Sequence, residues 1–333
     1  MTAKLRNWSA CQRSVAARFL HRNQIGGCIG VLWIVLAIAG SVQAQQSNPA
    51  IEQSRLFPRT VPPNANAVSA DGFALPEGET TSSGDEGFGA QQILKEQEKI
   101  PDFTITAGTM GYFTNNVALT HSATQSEGFF VGDVGVNWTP RINPQFQFLL
   151  GTGASLFRYE TSALDFENLA AGTGIAWTPP NAWGLALIAR YDFVELLDRH
   201  ADEILQDHEF SLALQKIVSL GRSHALSFAV LGSAGISHPF AEQRDQAGLA
   251  VGYHLQLTRS LGTDLGYRLS GYFYSQGGRD DVNQVLSLGL HYNISPWLAV
   301  NGFVSAAKNG SNQSAFKYEV LSSGGGVSLL IRF

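Results

Sequence analysis

Beyond residue 44 this chain has no cysteine: its two, Cys11 and Cys28, both lie before that point. Disulfides, thiol chemistry and cysteine-ligated metals are thereby excluded from everything that follows, so backbone ladders and packing must hold it together. Long apolar runs are equally scarce. After Gly40 no stretch approaches the roughly 20 residues that a membrane helix needs. Positive charge is the third deficit, with 22 Lys+Arg against 27 Asp+Glu in 333 residues. Lys4, Arg6, Arg13, Arg18 and Arg22 are the only charged residues of the first 44; without them 17 basic residues face 27 acidic ones, a net charge of −10. So acidic a chain lacks the basic face that nucleic acid requires.

Those basic residues read as the n-region of a secretory signal peptide, with Ile25–Gly40 as its apolar core and Val42-Gln43-Ala44 as its cleavage site. Residues 1–44 are expected to be removed. The apolar core is short for a stable helical anchor. Cys28 precedes that core instead of ending it, which excludes a lipoprotein signal. Residues 45–101 read as a flexible periplasmic linker, punctuated by Asn48-Pro49, Phe57-Pro58 and Pro62-Pro63-Asn64. A short helix is expected near 88–99, stopped by Pro101, as either a plug or a connector.

From residue 102 to 333 the rhythm changes to a period of two. Leu249, Val251, Tyr253, Leu255 and Leu257 alternate with Gly248, Ala250, Gly252, His254 and Gln256. Leu286, Leu288, Leu290, Tyr292 and Ile294 alternate with Ser287, Gly289, His291 and Asn293. This is strand periodicity. Globular strands run about 5–6 residues, whereas these segments alternate for the roughly 9–11 needed to cross a bilayer. About twelve such segments are present. Lipid tolerates no open sheet edge, so the expected fold is all-β, a transmembrane antiparallel up-and-down barrel of about twelve strands over 102–333.

Short turns, such as 140–144 and Ser295-Pro296, alternate with longer polar loops, such as 115–127 and 309–317, the asymmetry of outer-membrane barrels. Trp138, Trp177, Trp183 and Trp297 fall beside the short turns; Phe129, Phe130, Tyr159, Phe193, Tyr272, Phe273 and Tyr274 fall at the loop side. Amphipathic rings favour the bilayer interface, so two girdles are expected. The last residues, Gly326 to Phe333, place Val327, Leu329, Ile331 and Phe333 at alternate positions. This ending resembles the signature read by the outer-membrane barrel insertion machinery, and residues 91–333 are similar to outer-membrane β-barrel proteins as a class. The resemblance implies an envelope address and an assembly route, not an activity.

Strand parity turns the lumen into a residue list. Gly151, Gly153, Gly172, Gly174, Gly248, Gly252, Gly324 and Gly326 are expected inside, leaving either a water path or a curved, plugged interior. Twelve strands lie between the packed interior of eight and the open channel of 16–18. The lumen charges are few and of both signs: Asp133, Arg190, Asp192, Asp264 and Arg268, with His254 and His291. No stack of like charge marks a strong ion filter. Ser223-His224 and Ser237-His238 are adjacent pairs that would point to opposite faces, so no nucleophile–base arrangement emerges. His200, Asp202, Glu203, Asp207, His208 and Glu209 form a dense loop but lack a fixed metal-ligand spacing.

The expectation is therefore a non-enzymatic outer-membrane barrel without cofactor or metal, both termini periplasmic. Its partners would be lipid, lipopolysaccharide, the insertion machinery and small solutes. Its function would be that of a small, weakly selective diffusion channel, or else a structural or surface-interaction barrel with a closed lumen.

Overall fold

The structure, a computed structural model, describes residues 48–56, 102–180, 182–221 and 223–333. The signal peptide and the helix expected near 88–99 lie outside the described residues. Among the described residues one helix, α1 (Pro49–Leu56), precedes twelve strands. These are β1 (Phe103–Thr114), β2 (Glu127–Trp138), β3 (Phe146–Tyr159), β4 (Phe166–Trp177), β5 (Leu185–Asp198) and β6 (Glu203–Ser219). They continue as β7 (His224–His238), β8 (Arg244–Gln256), β9 (Leu261–Tyr274), β10 (Asp280–Ser295), β11 (Leu298–Ser311) and β12 (Tyr318–Arg332). Each pairs with its sequence neighbours, and β12 pairs with β1 to close the barrel.

The closing seam runs from Thr104↔Arg332 to Thr114↔Ser322, so no edge is left unpaired. It also defines one end of the barrel, here the turn end, where Phe103 and Phe333 meet with ring centroids 6.1 Å apart. At the other, the loop end, lie 115–126 and the remaining connections that follow odd-numbered strands. The expected asymmetry of length is weak. Segments 139–145 and 178–184 at the turn end match most loop-end connections, and only 115–126 is long. That segment folds inward, burying Asn116 and Val117.

Alternation places apolar side chains outside. Leu286, Leu288, Leu290 and Tyr292 of β10 are exposed on the outer surface, as are Val304 of β11 and Val327, Leu329 and Ile331 of β12. An apolar exterior that runs round a whole barrel is untenable in water and matches a hydrocarbon surround. Trp138, Trp177 and Trp297 are exposed at the turn end; Trp183, 87 % exposed, sits with positive φ in the connection before β5 rather than on the strand.

The loop-side aromatics divide. Phe130 and Phe273 point outward, but Phe129, Tyr159, Tyr272 and Tyr274 are buried inside. The expected outer girdle is therefore half an inner core. Phe129 stacks on Tyr112 at 4.9 Å and on Tyr159 at 4.6 Å, while Phe157 stacks on Phe166 at 4.2 Å. With Val131, Val194, Leu196 and Leu205 they form a continuous apolar cluster on the inner face of β2–β6. Full burial of a side chain such as Phe166 or Leu196 contributes about 1.5–3 kcal/mol.

Within 45–101, read from sequence as linker, the structure forms α1 and packs Ala50 and Ile51 into this cluster. The local reasons are visible. Asn48 accepts the Ala50 amide through its side chain at 3.0 Å, and Pro49 stands at the first helical position, where no amide is needed. Glu52 in the first turn and Arg55 in the last complement the helix dipole.

Candidate functional site

The lumen has two parts. At the loop end α1 fills it with one apolar and one charged flank. Ile51 meets the cluster on β2–β6, and Gln53 donates to the Val117 carbonyl at 2.8 Å. On the opposite flank Glu52 Oε1 accepts from Arg55 at 3.4 Å and from Arg279 at 3.1 Å. Arg55 also reaches Glu242 at 3.2 Å and the Tyr274 hydroxyl at 3.4 Å. Arg279 pairs with Asp281 and lies 4.1 Å above the Tyr274 ring and 3.7 Å above Phe316. Asn309 donates to Asp281 at 3.1 Å.

These are buried charges, expensive unless paired, and here each has a partner. Burial works against the Glu52 carboxylate, but the Arg55, Arg279 and Arg244 guanidiniums outweigh it and hold its pKa below the ordinary value.

Beneath α1 the lumen opens into a cavity of about 420 Å³ whose lining includes Leu56. Met110, Tyr112, Val285 and Phe303 supply apolar wall; Ser227, Ser287, Ser305 and Asn301 supply small polar wall. Four of the charged or imidazole residues singled out by parity, His254, Asp264, Arg268 and His291, line it. Asp264 accepts from His254 Nδ1 at 2.7 Å and lies 3.2 Å from His291 Nδ1, and the two imidazoles stack at 5.7 Å. Gly262 makes this possible, since a Cβ there would collide with the His291 ring.

The remaining lumen candidates lie elsewhere on the wall. Arg190 donates to Asp192 on the same strand at 2.6 and 3.2 Å, across the space left by Gly172. Asp133 lies over Gly108. The inward glycines thus do not all leave free volume: at 108, 172, 262 and 324 a neighbouring strand's side chain occupies the place of the missing Cβ.

The dense segment 200–209 is split by the strand. His208 turns to Tyr191 at 2.8 Å, Asp207 accepts from Ser237 at 2.8 Å, and His200 lies 3.3 Å from Asp198. Among the described residues no group of three His, Cys, Asp or Glu side chains is placed to hold a metal ion. His224 contacts Tyr253, so neither adjacent Ser–His pair forms a nucleophile–base contact among the hydrogen bonds of the described residues.

Sequence reasoning missed α1. Its signal was the Asn48-Pro49 cap followed by an apolar pair, Ile51 and Leu56, flanking Glu52 and Arg55.

No protein-family model and no curated protein matches the chain. Solved structures do resemble it. A crystal structure of an outer membrane channel from Pseudomonas putida F1 superposes with TM-score 0.53 at 7% identity, covering 70% of this chain and 96% of that one. An anion-selective porin from Comamonas acidovorans gives 0.38 at 10% identity, covering 69% and 98%. A bacterial polysaccharide outer membrane secretin gives 0.43 at 13% identity, covering 71% and 100%. At such identities the likeness to the Pseudomonas putida structure shows the fold alone, a closed β-barrel, and nothing of role or substrate.

Proposed function

We propose that this chain is an outer-membrane diffusion channel for small solutes, closed at rest at its loop end by its own N-terminal helix. The observation that carries the reading is the cavity of about 420 Å³ left unfilled inside a closed twelve-stranded wall. A barrel that served only as a scaffold gains stability by filling such a space. The closing element suits a gate: α1 is bound to the wall by side chains, not by the strand ladder. Orientation follows from assembly, with the turn end and both barrel termini periplasmic and Val327, Leu329, Ile331 and Phe333 presented to the insertion machinery. The exposed apolar belt then meets lipid and, at the loop end, lipopolysaccharide. Selectivity is mild, because Arg190 is neutralised by Asp192, and Asp264 is shared by His254 and His291.

A second reading has its own support. The packing of Ile51 against the apolar cluster would also suit a permanently closed structural barrel. Planar-bilayer recordings separate the two. The mature chain should show rare openings, and deletion of 45–56 should give steady, weakly selective conductance. A deletion variant that folds, shown by its heat-modifiable gel mobility, and conducts nothing leaves the structural reading in place.

A further inference from the structure

Most charges of the lumen have a partner among the described residues, but Arg268 has none. Arg268 projects from β9 into the cavity, and its Nε is buried with no hydrogen-bond acceptor among the described residues. Its cross-strand neighbours are Ala250 and Val285, neither of whose side chains can accept. The lumen acid on the same strand, Asp264, lies about 13 Å away by strand rise and is already engaged by His254 and His291. A guanidinium whose Nε is buried against a largely apolar wall gains from an anion that meets it.

The enclosure itself describes the rest of the ligand. Its volume of about 420 Å³ falls within the range of small-molecule sites. Tyr112, Phe303 and Met110 line the same cavity as Arg268, together with Leu56 of α1. That combination offers one planar, fork-shaped cation and a broad apolar wall. Guanidinium binds carboxylate in a bidentate manner, and thioether and aromatic surfaces accept flat or chain-like hydrocarbon.

We infer that the cavity is a binding site for a small amphipathic carboxylate, its anionic group on Arg268 and its apolar body against Tyr112, Phe303 and Met110. This names a solute class for the channel reading and rests on it only for the step of transport. Because Leu56 forms part of the lining, an occupied cavity touches the helix that closes the loop end.

Calorimetric titration of the folded full chain with benzoate, benzamide and inorganic phosphate at neutral pH tests the site without requiring conduction. Benzoate should bind, with benzamide and phosphate each weaker by about tenfold or more. Arg268→Gln should weaken benzoate by a similar factor, and Arg268→Lys should retain part of it, which keeps the test decisive if the Gln variant folds poorly. Equal binding of benzoate and benzamide, phosphate binding as tight as benzoate, unchanged affinity in Arg268→Gln or no binding to the wild type would each overturn the inference. Benzoate binding in a protein that never conducts would remove the channel and leave the site; conduction without benzoate binding would do the reverse.

Discussion

The two halves of the lumen solve opposite problems with the same wall. At the loop end Phe129, Phe157, Phe166, Leu196 and Ile51 pack as they would in a water-soluble core, and each buried charge of α1 is matched. On the turn-end side of α1, strands β7, β8, β10 and β11 carry Ser227, Gly252, Ser287 and Ser305, and a cavity remains in which Arg268 has no partner among the described residues. Strand order, register and closure are common to both halves. What separates them is side-chain volume, so the barrel wall sets a space and the sequence decides locally whether to fill it.

Reversing one charge should erase the contrast. Glu52→Arg sets three like charges, Arg55, Arg279 and the new side chain, together in a buried place, and removal of one partner from such a set costs about 3–5 kcal/mol. We expect α1 to leave the wall while the barrel keeps its denaturation midpoint, read as trypsin cleavage at Arg55 in the variant and not in the wild type. Continued protection of Arg55 would show that the apolar flank alone holds the helix.

Acidification should weaken the same contact more gently. The Glu52 pKa is lowered in the docked state, so its contribution is fully present above the ordinary carboxylate value of 4.5 and is lost as pH falls through the lowered one. Hydrogen-exchange protection of residues 48–56 should therefore hold at pH 7 and decline below 4.5. Protection that rises on acidification contradicts the sign.

The gentlest probe compares filling the two halves. Ala170 is 4% exposed within the apolar cluster, whereas Ser287 lines the cavity. Ala170→Phe should cost about 1–3 kcal/mol by overpacking, and Ser287→Phe should cost less, since its ring has room. Equal losses in equilibrium unfolding would mean that the cavity is not space in solution.

The wall was legible in the sequence and the filling was not. Period-two alternation in Leu249–Leu257 and Leu286–Ile294 is imposed by having lipid on one face and a lumen on the other, so strand number and closure could be read directly. Pairings between strands depend on register, which alternation leaves open. His254 meets Asp264 because the connection 257–260 sets β8 against β9 with these two residues opposite. Helix α1 was hidden for a different reason. Eight residues are too few to show a helical period, and what holds them, Glu242 and Arg279, stands far along the chain. The loop-side aromatics were misplaced because their position along the strand was considered without their parity.

The bond between Arg279 and Glu52 joins residues 227 positions apart, and that between Arg55 and Glu242 joins residues 187 apart. Such distant partners meet only after the intervening strands have formed, because closing so long a loop earlier costs entropy with nothing yet to offset it. Gln53, by contrast, needs only the segment after β1. The first helix of the described residues is therefore seated only after the strands that carry its partners have paired. Its arrival reports that β9 and β10 are in register, and a barrel caught partway through insertion has an unobstructed interior until that moment.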